Sequence, residues 1–310
     1  MHDLSQVFLS LAFLTSSIQF AGPLFAAAAG EAISEGAGVI NIGIEGMMLT
    51  GAFSGFVGAD ISHNAWVGLL TGILGGIAIA LPHGFVSINL AGNQIVSGVA
   101  LNLTAVGLTT FLFRQGFGIG TSPQVAHFST IHIPLVSSLP VLAAVFDQAA
   151  PIYVSVALAV VAWFLLFRLR IGLQMRASGQ RPESLEMVGV SVIRTRWAAL
   201  LVCAGLAGLA GTTLSLVQLN TFVEDMTGGI GFVVLALVIV ARWNPLWTLP
   251  VGLFFGASEA VGIRVQALGV TVIPYQLWAM APFLLTLVAY ALVARSGRSP
   301  RALGSSYARE

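Results

Sequence analysis

The chain of 310 residues contains no lysine, and only 8% of it is charged. A soluble domain carries roughly 25% charged residues. Without lysine, a phosphate-binding loop of the G-x-x-x-x-G-K-[ST] type cannot be built, so this route to ATP hydrolysis is closed. There is one cysteine, Cys203, inside an apolar run. It cannot form a disulfide framework or a thiolate zinc set, and it reads as a small packing residue. His127 and His132 lie five apart with no third ligand nearby, so no metal is expected. No Ser–His or paired-Asp arrangement falls within the apolar runs, which argues against an intramembrane enzyme. The start of the chain, Met1–Gln6, has no Arg or Lys and lacks the positive region of a secretory signal.

What remains is apolar. Hydrophobic residues make up 57% of the chain and the mean hydropathy is +0.93. About nine segments are long enough, or nearly so, to cross a hydrocarbon layer ~30 Å thick: Leu9–Gly30, Val39–Gly58, Trp66–Ile88, Ile95–Phe113, Ile152–Phe167, Trp197–Val217, Ile230–Ala241, Leu246–Ile263 and Tyr275–Val293. They are too uniformly apolar for the alternating strands of a barrel. The fold expected is an all-α polytopic membrane protein with about 8–10 transmembrane helices, at least one of them broken.

The thirteen cations are all Arg; six lie between Arg168 and Arg196 and four from Arg295 onward. The positive-inside rule places the 168–196 loop in the cytoplasm. Threading the later spans from that loop brings Arg242 and the C-terminal arginines to the same face and leaves Arg264 on the other. One domain, 1–294, is expected, with an external cap over about 114–150 and a flexible cytoplasmic tail over 295–310. Glycines at three- and four-residue spacing, such as Gly51, Gly55 and Gly58, suit close helix packing in lipid.

Polar residues interrupt this pattern in few places. From Gly30 to Gly46, Glu31, Glu35 and Glu45 stand among five glycines and Asn41. Glu31 and Glu35 read as a solvated turn at the membrane edge. Asn41 and Glu45, four apart, share a helix face and either line a path or hydrogen-bond between helices. Asn93 and Gln94 open a helix, where Asn is also an ordinary cap, and Asn102 follows two turns on. Glu224-Asp-Met-Thr-Gly-Gly229 is similar in style to the first interruption. Glu259 has Arg264 as its nearest prospective ion-pair partner.

Within the 168–196 loop, Pro182 suits the first position of a short helix, Glu183 and Glu186 its positive end, and Gly189 its close. Leu185, Met187 and Val188 give it an apolar side, the form of a docking knob. The whole stretch, Gly172-Leu-Gln-Met-Arg-Ala-Ser-Gly-Gln-Arg-Pro-Glu-Ser through Gly189-Val190, resembles the ATPase-coupling loop of ABC-importer permeases of the branched-chain amino acid, ribose and nucleoside group. Ile33–Met48, Asn93–Asn102 and Arg242-Trp-Asn-Pro245 are similar to further motifs of the nucleoside (simple sugar) branch, with Gly36 standing where many relatives carry Arg.

The resemblance implies a type II-like importer permease bundle in a bacterial-type cytoplasmic membrane. Its partners would be an ABC ATPase, a second and non-identical permease, and an external solute-binding protein; no nucleic acid is implied. ATP and magnesium would sit on the ATPase, with no cofactor on this chain. Gly179, Arg181, Pro182, Glu183, Leu185, Glu186 and Gly189 would meet the ATPase, and Asn41, Glu45, Asn93, Gln94 and Asn102 are the candidates for the solute path. Nucleosides are the first expected solute. Simple sugars or branched-chain amino acids are the alternatives, and an ion-coupled secondary transporter is the alternative of another class.

Overall fold

The structure is a computed structural model that describes residues 11–120, 123–131, 145–267 and 299–307, with five positions between 280 and 291. Among these, the elements are α1 (Leu11–Gly36), α2 (Ile44–Ser62), α3 (Ala65–Gly84), α4 (Gln94–Phe117), α5 (Ala150–Arg168), α6 (Arg170–Gln180), α7 (Pro182–Met187), α8 (Val192–Thr213), α9 (Ile230–Val240) and α10 (Thr248–Ala267). Turns of π-helix, Phe85–Asn89 and Leu214–Leu219, continue α3 and α8. Six helices are long and apolar enough to cross a membrane, and α9 is a shorter apolar helix. The only ladder among the described residues pairs β1 (Thr130–Ile131) with β2 (Gln148–Ala149), within the stretch expected to form a cap. The ninth expected span lies almost wholly outside the described residues, as do His132 and most of the C-terminal arginines.

Helix starts follow local chemistry. Asn64 accepts from the Trp66 amide at 2.8 Å, and Asn93 accepts from the Ile95 and Val96 amides at 2.9 and 3.1 Å. Each side chain satisfies donors that a first helical turn leaves free.

Lipid gives helices no hydrophobic reason to associate, so backbones must approach closely for dispersion to hold them. α2, α3 and α8 do this through glycine. A Cβ on Gly51 would lie 2.5 Å from the Gly208 Cα, one on Gly76 2.5 Å from the Ala204 carbonyl oxygen, and one on Gly211 against the Met48 carbonyl oxygen. Thr212 spans the seam, donating to the Gly208 and Gly51 carbonyls at 2.9 and 3.2 Å. The glycine spacing expected from the sequence thus serves packing within one bundle. α1 packs on α8 of this trio and on α5 and α10, and a cluster of Phe56, Phe113, Phe117 and Phe222 closes one end. Leu70, Leu74, Leu103 and Phe111 on α3 and α4 stay exposed, as a lipid-facing surface requires.

Three expectations need correction. The first helix does not end near Gly30 but continues to Gly36, so the break spans residues 37–43. The loop after Arg168 holds a second helix, α6, whose buried Gly172, Met175, Ser178 and Gly179 mark one face. The tail, expected to be flexible, docks over residues 302–305: the Ala302 and Gly304 amides donate to the Gly179 and Gly38 carbonyls at 2.9 and 3.2 Å. That contact brings the tail to the face that carries the 168–196 loop, here termed the loop face.

Candidate functional site

The short helix α7 is built as its residues suggest. Pro182 occupies the first turn, and the Arg181 amide before it donates to the Ala177 carbonyl at 2.8 Å. Gly189, at φ 81°, takes the left-handed position that ends the helix. Its amide donates to the Glu186 carbonyl at 2.9 Å and the Val190 amide to the Leu185 carbonyl at 3.2 Å. Pro182 and Leu185 turn inward and are buried, whereas Arg181 and Glu183 are exposed. Met187 and Val188 stand 86% and 73% exposed at the tip. Large apolar side chains are presented this way where a partner covers them.

Immediately before α7, α6 meets the first helix break. A Cβ on Gly179 would collide with the Gly36 carbonyl oxygen, so only glycine lets the two backbones touch. Ser178 donates to the Ala37 carbonyl at 3.0 Å. Further backbone groups of the break are also met: Gln94 accepts from the Ile40 amide at 2.8 Å, and Glu31 from the Asn41 amide at 3.2 Å. Unsatisfied backbone at membrane depth is too costly to persist, and this break leaves little of it.

Glu31 and Glu35 are therefore not a solvated turn; they are 0% and 4% exposed. Glu31 also accepts from the Cys203 thiol at 3.2 Å, and Glu35 accepts from the Trp243 indole N–H. The Asn41 amide nitrogen completes the cluster at 3.3 Å from the sulfurs of both Met47 and Cys203. A short turn after α9 supplies Trp243, so α1 and the end of α9 are joined at the loop face.

The second break lies before α9. With 11 residues, α9 spans only about 16 Å of a ~30 Å layer. One end is held at the loop face near Trp243, so the other starts at membrane depth, where its first amides need acceptors. Glu45 supplies them. Its two carboxylate oxygens accept from the Gly229 amide, at 2.8 Å, and from the Gly231 amide. The positive end of a half-helix is a favourable place for that charge. A Cβ on Gly231 would lie 2.7 Å from the Glu45 Cα, so the glycine permits the approach. Asn102 braces the same corner from α4, accepting from the Gly46 amide and donating to the Ile42 carbonyl, both at 2.9 Å.

Asn41, Glu45, Gln94 and Asn102 are thus brought together around the two breaks, and each makes contacts with protein groups, although Asn41 Oδ1 and Gln94 Nε2 are buried without a hydrogen-bond partner. Asn93 caps α4 at the edge, apart from them. Sequence reasoning missed two members of the frame. Arg196 is 1% exposed beneath the tail and donates to the Ser305 carbonyl at 2.9 Å, so it does not belong to an open cationic cluster. Gln218, in the π turn after α8, donates to the Gln19 carbonyl at 2.9 Å. The signal for it is Pro23: proline has no N–H, so the carbonyl four residues earlier lacks its helical donor. Glu259 forms no ion pair with Arg264 and opens on a cavity.

A bundle of apolar helices broken at membrane depth, with a short helix presented on one face, defines a multi-pass transport protein. The chain belongs to the family described as branched-chain amino acid transport system / permease component, whose model matches residues 13–294. It is a permease component of an ABC transporter. Over 268 residues it is 39% identical to TsgC13 of Haloferax volcanii, provisionally named a glucose ABC transporter permease protein, covering 84% of this chain and 80% of that one. It is 32% identical to the nucleoside ABC transporter permease protein NupC of Lactococcus lactis, covering 93% of this chain and 94% of that one. It is 31% identical to the guanosine ABC transporter permease protein NupQ of Bacillus subtilis, covering 94% and 95%. A second, more distant ABC transporter permease of each of these three organisms also matches.

Proposed function

We propose that this chain carries nucleosides into the cytoplasm as one of two non-identical permeases, driven by a separate ABC ATPase and fed by an external solute-binding protein. The end-to-end correspondence with NupC and NupQ, over 93% and 94% of this chain, carries the choice of solute. The higher identity to TsgC13 favours a second reading, a simple sugar. That three organisms each hold one nearer and one more distant relative supports a mixed permease pair.

In this reading the loop face is cytoplasmic, in keeping with its arginines. The ATPase grips α7 through Arg181, Pro182, Glu183, Leu185 and Glu186, with Gly179 and Gly189 setting the helix's pose. Met187 and Val188 enter the ATPase surface. ATP and magnesium belong to that partner, and this chain, in a cytoplasmic membrane, brings no cofactor. Motion of α7 passes through Gly179 into the first break, and through Trp243 and Glu45 to both ends of α9. Asn41, Glu45, Asn93, Gln94 and Asn102 hold the frame rather than touch solute.

The deciding experiment reconstitutes the chain with its ATPase, second permease and binding protein in proteoliposomes. Nucleoside uptake that needs ATP is expected; uptake of a hexose with no nucleoside uptake would select the sugar reading. Met187→Asp with Val188→Asp should abolish copurification of the ATPase while the chain still inserts. Unchanged copurification would remove α7 as the coupling element.

A further inference from the structure

We propose that a cavity between α1, the π turn after α8, the start of α9 and α10 is where the solute rests within this chain, and that it is shaped for a neutral nucleoside. The proposal depends on the importer reading above and adds a location and a recognition chemistry to it. The cavity measures about 360 Å³. That lies within the range of small-molecule sites, about 300–1,000 Å³. Among the described residues its wall is mostly apolar, with Phe20, Met226 and Phe255, and carries three polar side chains: Gln218, Thr227 and Glu259.

Each of the three departs from what packing alone would produce. Glu259 lies near the middle of the 20-residue α10, at membrane depth, with no ion-pair partner among the described residues. A carboxylate there must face a polar cavity or a partner. Thr227 is part of the cavity wall and 0% exposed, and its buried hydroxyl has no hydrogen-bond partner. Such orphaned groups are rare because each costs desolvation without return. Gln218 is held at the wall by the carbonyl that Pro23 leaves without a donor. The segment carrying Gln218 is itself π-helical, a local distortion found often at functional sites.

The chemistry of the wall selects among solutes. A carboxylate accepts from hydroxyl and N–H donors, which a ribose and a base both provide. Phe20, Met226 and Phe255 suit the flat face of a base. Among the described residues no Arg or His lines the cavity, so the carboxylate of an amino acid or the phosphate of a nucleotide finds no counter-charge among them beside Glu259. Branched-chain amino acids and nucleotides are thereby disfavoured at the same position.

The test uses the whole importer in proteoliposomes. Met226→Cys places a thiol on the apolar wall, and the native Cys203 is buried and stays silent. A small water-soluble methanethiosulfonate should modify the introduced thiol. Adenosine or cytidine should slow that modification, while leucine and adenosine monophosphate leave it unchanged. Adding Glu259→Gln should raise the nucleoside concentration needed for protection about tenfold, the size expected for a lost hydrogen bond to a charged group. Should Met226→Cys fail to copurify with the ATPase, Ile230→Cys gives the same readout. Intact nucleoside uptake by the wild type without protection of either thiol would overturn the cavity assignment alone. Absence of any nucleoside uptake by the wild type would instead overturn the nucleoside reading on which it depends.

Discussion

The two helix breaks begin from the same ingredients, glycines and carboxylates inside apolar runs, and end differently. The first, over residues 37–43, is closed by four other parts of the chain: Glu31 from α1, Gln94 from α4, Ser178 from α6 and Gly304 from the tail. The second, before α9, is tied at its edges. Thr221 donates to the Pro123 carbonyl at 2.9 Å, and Glu45 caps the helix that follows. Between those ties Thr227 belongs to the cavity wall and keeps a buried hydroxyl without a partner. Broken backbone in a membrane is tolerated where protein buries it or where it lines a cavity. This chain uses one solution at each break, so the closed break acts as a joint and the open one as a chamber. Glu45, at the start of the helix after the first break, caps the helix after the second and links them.

The sharpest way to break this contrast is to wedge the joint. Gly179→Val would drive a branched side chain into the Gly36 carbonyl, with backbone on both sides and nothing free to yield. Overpacking of this kind costs about 1–3 kcal/mol or more, and here it also displaces the residue leading into α7. A strong fall in detergent-solubilised Tm and loss of ATPase copurification are expected; wild-type values for both would show that the joint has slack. The link is the next target. Glu45→Ala leaves the Gly229 and Gly231 amides unmet, a cost of about 2–3 kcal/mol. Thermal unfolding should report it, and Glu45→Gln, which keeps one acceptor, should recover part of the loss. Equal losses in the two variants would mean that Glu45 acts through packing rather than capping.

How much of this could be read from residues alone depends on the range of the interaction. Most of the spans, the helix starts at Asn64 and Asn93, and α7 with its proline start and glycine end rest on local rules, and the described residues reproduce them. The close approach of α2 and α8 follows from glycine spacing. The partners of the acids were not legible. Glu31 and Glu35 are charged residues near a membrane edge, and on average such residues are solvated. Here Cys203 and Trp243, 172 and 208 positions further along the chain, cover them. The tail misled for a related reason: Ser, Gly and Arg composition suggests flexibility, but two backbone amides tie it to Gly38 and Gly179 and Arg196 holds the Ser305 carbonyl. Glu45 shows the same limit from the other side. Its position identified an important group, yet whether it faces solute or an amide depends on a glycine 186 residues away.

The weakest tie of the second break offers the mildest test of the comparison. Arg114, in the last turn of α4, grips Glu224 with both ends of its guanidinium: Nε donates to Oε1 at 2.8 Å and Nη2 to Oε2 at 2.6 Å. Those hydrogen bonds hold the Glu224 carboxyl below its ordinary value. A depressed carboxylate stabilises the fold at pH values above the unfolded range, about 4.3, and loses that contribution as pH falls through the folded value. Both side chains are well exposed, at 51% and 31%, so water and salt screen the pair and its effect on stability is small. Glu224→Gln should therefore lower Tm slightly at pH 7, and the difference should shrink toward pH 3 and in high salt. Between pH 7 and pH 9 it should stay constant, because Glu224 is already ionised. A difference that ignored both acid and salt would mean that Glu224 holds the open break through its shape rather than its charge.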